Sequence, residues 1–284
     1  MNDLPISIQK LAARYKPIET DGLTLYPIKI VEYENFSIAK PAVEVMHQSL
    51  PVAFLRVPLL AALYAMDYEA ALSGKPATGL FSRTLLMLAL ALRLGEGPAI
   101  EERLNAFRIE VDRKNPARLL RLQFSDADGE TKVITPVQYA RLRQIIAAQN
   151  GIKLESDEAN PDIVKAKKDM ERSAESQLDA DINVWIAAVS TMTGTPEEEI
   201  DTWPILKFQR RSDAIVRALN FVVYGIGEAS GMVSYPKGNP APHPFFSRLD
   251  GGNSVLSPMG GSADGKRPED PTKTAAIREV IKSL

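Results

Sequence analysis

The sequence predicts an α+β protein in which helix predominates: a helical domain carrying a small three-stranded antiparallel meander, followed by a flexible tail. Apolar residues recur at steps of three and four along residues 21–230, the period of helices that bury one face. Within this domain, residues at about 106–134 alternate with period two, as strands do. Residues 231–284 are rich in Gly and Pro and offer few apolar side chains to bury. Residues 1–20 carry little pattern and form a separate N-terminal segment.

The elements before the meander are a short strand and three helices. Residues 23–30 alternate well enough for a strand or an extended lead-in. Helices are predicted at residues 31–50, with Pro41 as a kink or boundary, and at residues 58–72 and 79–94. The last of these is apolar on nearly every side, so neighbours must cover it all round. It is therefore the predicted central helix of the core.

Three short segments alternate with period two and predict the antiparallel meander. They cover residues 107–112, 120–124 and 132–134, joined through Asn115-Pro116 and Asp128-Gly129. One face of this sheet is apolar and should lie on helices, while the charged face should meet water or a partner.

The helix after the meander has clear start and stop signals. Thr135-Pro136 favours its first turn and Asn150-Gly151 its end. Residues 161–180 are also helix-prone, but they contain few large apolar side chains, so that helix can only be weakly anchored. Its lysines form either a solvated face or a surface for an acidic partner.

Three further helices and a possible fourth are predicted toward the C-terminus. Residues 181–192 carry apolar side chains at helical spacing, and Thr195-Pro196-Glu197-Glu198 opens a short helix as a capping box. The longest helix, residues 204–229, has a continuous apolar seam. The residues of this seam are Ile215, Val216, Leu219, Val222, Val223 and Ile226. Residues 272–284 form a possible last short helix, which would be a docking peptide.

Composition excludes several classes of protein. The formal net charge of -2 provides no basic field for nucleic acid. The chain has no cysteine, which removes disulfides, thiolate catalysis and zinc fingers. The longest apolar run, residues 85–92, is much shorter than the roughly 18 residues that a membrane span requires. The first ten residues do not resemble a signal peptide, so the expected location is cytoplasmic.

Apparent catalytic and ligand motifs have structural explanations. Residues 260–267 have the spacing of a phosphate-binding loop, but Arg267 replaces the Ser or Thr that reaches magnesium and Pro268 follows where a helix must begin. The two histidines, His47 and His243, lie about two hundred residues apart, so neither has a histidine neighbour at ligand spacing. We therefore predict no catalytic residue, no cofactor and no metal, and a protein that is not an enzyme. An enzyme built from scattered Asp, Glu, Arg and Tyr stays open.

Two segments resemble a known family. Residues 143–152, which lead to Asn160-Pro161, and residues 229–233, which lead to Pro242-His243, resemble the tail assembly chaperone-like proteins of long-tailed phages and prophages. The similarity in layout spans roughly residues 20–245. Together with the lysine-rich segment, these motifs supply the candidate partner-binding residues, which are Arg143, Gln149, Asn150, Lys165, Lys168, Arg172, Met232 and His243.

The resemblance implies a non-enzymatic protein of the infected host cell's cytoplasm. It would bind the tape-measure protein, help tail-tube protein polymerise around it, and be absent from the mature virion. The alternative is a structural virion protein of the tail or baseplate. The sequence leaves open whether the protein forms a homo-oligomer.

Overall fold

The computed structural model describes residues 4–95, 99–126, 129–155 and 181–229. Over these residues the protein is α+β with helix predominating, as predicted. The chain divides into two compact units, residues 1–208 and 209–284, so the division falls before the boundary at residue 230 predicted from composition.

Among the described residues of the first unit, helix predominates over strand. The α-helices in the described residues are α1 (Ile6–Ala13), α2 (Tyr33–Glu44), α3 (Leu59–Leu72), α4 (Leu80–Leu92), α5 (Ile100–Asn105), α6 (Pro136–Asn150), α7 (Ile182–Thr193), α8 (Glu197–Asp201) and α9 (Ile205–Ala229). Short 3-10 turns cover Ile30–Glu32, His47–Ser49 and Val52–Phe54. Helix α9 begins in the first unit and continues through the described part of the second.

The described strands form two small antiparallel sheets. Strands β1 (Ile18–Thr20) and β2 (Leu23–Leu25) make a hairpin. Strands β3 (Arg108–Val111), β4 (Leu119–Ser125) and β5 (Thr131–Ile134) follow one another in the order β3-β4-β5. The predicted meander is confirmed.

Helix α4 is the centre of the core, as its sequence predicts. Every residue from Thr84 to Ala91 is buried, and the helix packs against α2, α3 and α5. This burial follows from the lack of a polar face along these residues, because exposing any side of the helix would leave apolar surface in water.

The meander places its apolar face on α3 and α6. Leu122 of β4 pairs with Ile109 on one side and Ile134 on the other, and the side chains of Leu122 and Ile134 are fully buried. On the opposite face, the exposed Arg121 pairs with Glu110 across the strands. Leu122 and Ile134 thus lie on a core face and Arg121 and Glu110 on a charged face, while the apolar Ile109 and Leu120 are exposed.

Arg103 and Glu32 form a largely buried ion pair that ties α5 to the start of α2. Arg103 Nη2 lies 2.5 Å from Glu32 Oε1, and Nη1 donates to the Leu94 carbonyl oxygen at 3.4 Å. A guanidinium withdrawn from water needs such a partner, because an unpaired buried charge is strongly unfavourable.

Several boundaries differ from the sequence-based expectation. The first twenty residues contain α1 and β1, and α1 packs on α6, so this segment is part of the folded unit. Helix α2 ends at Glu44, three residues after Pro41, and α5 was not predicted. The capping box predicted at Thr195 is wrong, because Pro196 is the N-cap of α8 and makes no side-chain bond.

Candidate partner-binding surface

Two of the candidate partner-binding residues, Gln149 and Asn150, lie in the interior of the first unit. Both side chains are fully buried at the end of α6. Gln149 Nε2 donates to the carbonyl oxygens of Lys16 and Leu25, each at 3.1 Å. These positions correct the expectation that the pair lies on a partner-binding surface: the amide of Gln149 holds the two ends of the N-terminal hairpin.

Arg143, a third candidate partner-binding residue, is half-buried and donates hydrogen bonds to backbone carbonyl groups. Its Nε donates to the Val43 carbonyl oxygen and its Nη2 to the Val45 carbonyl oxygen, both at 2.7 Å. Helix α2 ends here, and its last carbonyl groups have no partner within the helix. The positive charge at this negative end of the helix dipole adds to the stabilisation. Arg143 therefore supports the fold.

The remaining candidates lie outside the residues that the structure describes. These are Lys165, Lys168, Arg172, Met232 and His243. Their proposed role in partner binding stays a prediction.

The start of α9 is fixed within the first unit. The Ile205 N–H donates to the Ile28 carbonyl oxygen and the Ile30 N–H to the Trp203 carbonyl oxygen, both at 2.9 Å. Trp203 is buried at the junction between α8 and α9, and the Lys207 ammonium lies 3.9 Å from the centre of its ring. These backbone hydrogen bonds and the buried Trp203 therefore hold the first turn of α9 to the segment at Ile28 and Ile30.

Further along α9, in the second unit, a run of apolar side chains is exposed. We call these four residues the α9 seam, and their exposed fractions are 47% for Leu219, 54% for Val222, 63% for Val223 and 64% for Ile226. Their spacing of three, four and seven residues places them on one helix face. These are four of the six apolar residues that the sequence predicted from their period, and the structure adds that the four face solvent. The other two, Ile215 and Val216, are half-buried.

The chemistry of the α9 seam suits an apolar partner. Residues 218–227 contain no charged side chain, so no charge on this stretch opposes the removal of water. Surface apolar residues scattered singly are ordinary, whereas a contiguous stripe on a helix marks a place where another molecule can bind. A second helix laid along the stripe would contact it through anchors at the same spacing.

A second apolar patch lies in the first unit, in the loop between α2 and α3. Val52 is 83% exposed and Leu55 is 39% exposed. Sequence reasoning missed this patch, because Pro51 and Pro58 mark a loop and apolar residues in a loop show no helical or strand period. The available signal was the near absence of charge between the two prolines, where Arg56 is the only charged residue.

The described ranges contain neither a candidate metal cluster nor a helix that could span a membrane. His, Asp and Glu side chains in these ranges do not gather in groups of three that could hold a metal ion. None of the described helices combines the length and the apolar character of a membrane span.

Comparison with known proteins finds no matching family model, no similar curated protein and no similar solved structure.

Proposed function

We propose that this protein is a non-enzymatic tail assembly chaperone of a long-tailed phage or prophage, which binds the tape-measure protein and assists tail-tube polymerisation. The observation that supports it best is the exposed α9 seam. The sequence motifs around Arg143 and Met232 add the family resemblance.

The α9 seam has the properties expected for holding an elongated helical protein. Helix α9 covers Ile205–Ala229, and at a rise of about 1.5 Å per residue it extends for roughly 37 Å. The four residues of the α9 seam cover about 10 Å of this length, or two helical turns, and apolar residues of a tape-measure helix would pack along them. Affinity would come from the apolar anchors, while charged neighbours would set register and salt sensitivity.

The test is co-purification from cells that express the tagged chain together with the adjacent tail genes. We expect the full-length chain to capture the tape-measure protein. A Val222→Glu/Val223→Glu double variant should reduce capture by at least about tenfold, because two carboxylates must then be desolvated at the contact. Far-ultraviolet circular dichroism of the variant would establish that its helix content is retained.

A matched control is available on α7. Val184 is 60% exposed, nearly the same fraction as Val223, but lies outside the seam. Val184→Glu should capture the tape-measure protein as well as the natural chain does. If the control loses capture as strongly as the seam variant, the seam is not the contact.

Mass spectrometry of finished particles separates the proposal from the alternative virion protein. A chaperone should be absent from particles that contain tape-measure and tube protein. Finding the chain there in a fixed ratio to the tube protein would reject the chaperone function and favour a tail or baseplate component.

A further inference from the structure

We propose that the C-terminal segment of this same chain, residues 272–284, docks on the α9 seam and competes with the partner for it. The apolar residues of the two stretches have the same spacing. The α9 seam uses positions 219, 222, 223 and 226, and the C-terminal segment carries Ile277, Val280, Ile281 and Leu284. Both patterns follow the order i, i+3, i+4, i+7 and would cover one face of a helix over the same length.

The composition of the segment favours an amphipathic helix, whose apolar face must pack against another surface for the helix to be stable. Residues 272–284 are the longest stretch free of Gly and Pro after Gly231. Arg278, Glu279 and Lys282 alternate with the apolar positions, which is the pattern of an amphipathic helix. A helix of this length is marginal alone in water, because nucleation offsets most of what its hydrogen bonds contribute. Packing of its apolar face against another surface would supply the missing stabilisation.

The connection between the two stretches is long enough for docking within one chain. Helix α9 ends at Ala229, so residues 230–271 link it to the segment. A Gly-rich chain of about 40 residues would have a root-mean-square span of roughly 35 Å, and the Pro residues of this connection, as many as its Gly residues, would lengthen that span. Tethering at this distance gives a local concentration near the millimolar range, so even a weak contact is occupied.

These features favour the chain's own end over a second copy of α9. Two copies of the α9 seam would have to meet from dilute solution, whereas the tethered segment is always present at high local concentration. The regulatory part of this inference rests on the proposed function: a tape-measure helix would displace the segment, so the seam is protected until its partner arrives.

The chain contains no cysteine, which permits a direct test. A single Val223→Cys substitution places one thiol on the α9 seam, and its rate of labelling by a maleimide reports how often the seam is open. We expect labelling about tenfold slower in the full-length chain than in a chain that stops after Pro271. Equal rates in the two chains would overturn the proposal.

Two variants make the outcome specific. Ile281→Glu in the full-length chain should restore fast labelling, and slow labelling in this variant would show that another part of the molecule covers the seam. Val184→Cys on α7 should label at the same rate with and without residues 272–284, which controls for general effects of truncation. Each rate is measured across a range of protein concentrations, because protection that grows with concentration would indicate a second copy and reject docking within one chain.

The labelling experiment uses no partner, so its failure is distinct from failure of the chaperone proposal. If docking occurs and the proposed function also holds, the chain that stops after Pro271 should capture more tape-measure protein than the full-length chain. Unchanged capture together with clear protection would reject the competitive role.

Discussion

Asn150 holds the backbone of Ile28, although 122 positions separate the two residues in the sequence. The Ile28 N–H donates to Asn150 Oδ1 at 2.9 Å, and Asn150 Nδ2 donates to the Ile146 carbonyl oxygen at 2.8 Å. The Ile28 carbonyl oxygen in turn accepts from the Ile205 N–H. One buried side chain thus positions the segment that receives the start of α9.

Replacing Asn150 should destabilise the first unit strongly. Asn150→Ala leaves the Ile28 N–H buried without a partner, so we expect the free energy of unfolding to fall by about 2–3 kcal/mol. Asn150→Asp should cost more, because it adds a buried charge and removes the donor to Ile146. Urea titration followed by circular dichroism measures both. Gln144→Ala, a half-buried position on the same helix, is the control and should change stability by no more than about 0.5 kcal/mol.

The contribution of the planar Arg143 guanidinium to stability can be separated from the contribution of its positive charge. Arg143→Lys keeps the charge but loses the fork that binds the Val43 and Val45 carbonyl oxygens together, so stability should fall by about 1–2 kcal/mol. Arg141 lies on the same helix, is exposed, and approaches Asp21 at 3.9 Å. Arg141→Lys should therefore change stability by less than about 0.5 kcal/mol. Similar losses in the two variants would mean that the fork contributes nothing particular.

Elements defined by local signals could be predicted from the sequence. Helix α6 begins after Thr135 and ends before Gly151 as expected, because its capping box and its left-handed glycine act within one turn. Helix α4 was clear from its continuous apolar run. Helices α1 and α5 were missed, because each is short and depends on distant contacts: α1 buries only Ile8 and Ala12, and α5 is held by the pair between Arg103 and Glu32.

The candidate site was predicted in part. Periodicity identified the residues of the α9 seam, because residues at this spacing share a helix face. It could not tell that the seam is exposed, since a period says which side chains lie together and not what covers them. Gln149 and Asn150 illustrate the opposite case: the family resemblance suggested a partner-binding surface, but distant backbone groups at Lys16, Leu25 and Ile28 make them interior residues.

The buried phenol of Tyr139 should make stability depend on pH in the alkaline range. Burial on α6 raises the pKa of Tyr139 above its usual value of 10.0, and the nearby Arg143 charge and Thr84 hydroxyl oppose this rise by less. The unfolded chain therefore releases the Tyr139 proton at a lower pH than the folded chain does. The contribution to stability is fully present below about pH 10 and is lost as the pH rises from there toward the folded pKa.

Urea titrations at a series of pH values between about 8 and 11 would measure this dependence. Tyr139→Phe should flatten the fall in the free energy of unfolding above about pH 10, because the variant has no proton to release at this position. Tyr64 provides the comparison: burial also raises its pKa, with the neighbouring Tyr68 adding to the rise, but Tyr64 is only half-buried. Tyr64→Phe should therefore flatten the slope less than Tyr139→Phe does. If Tyr139→Phe and the natural chain lost stability with the same slope, the buried phenol would not be a source of the alkaline instability.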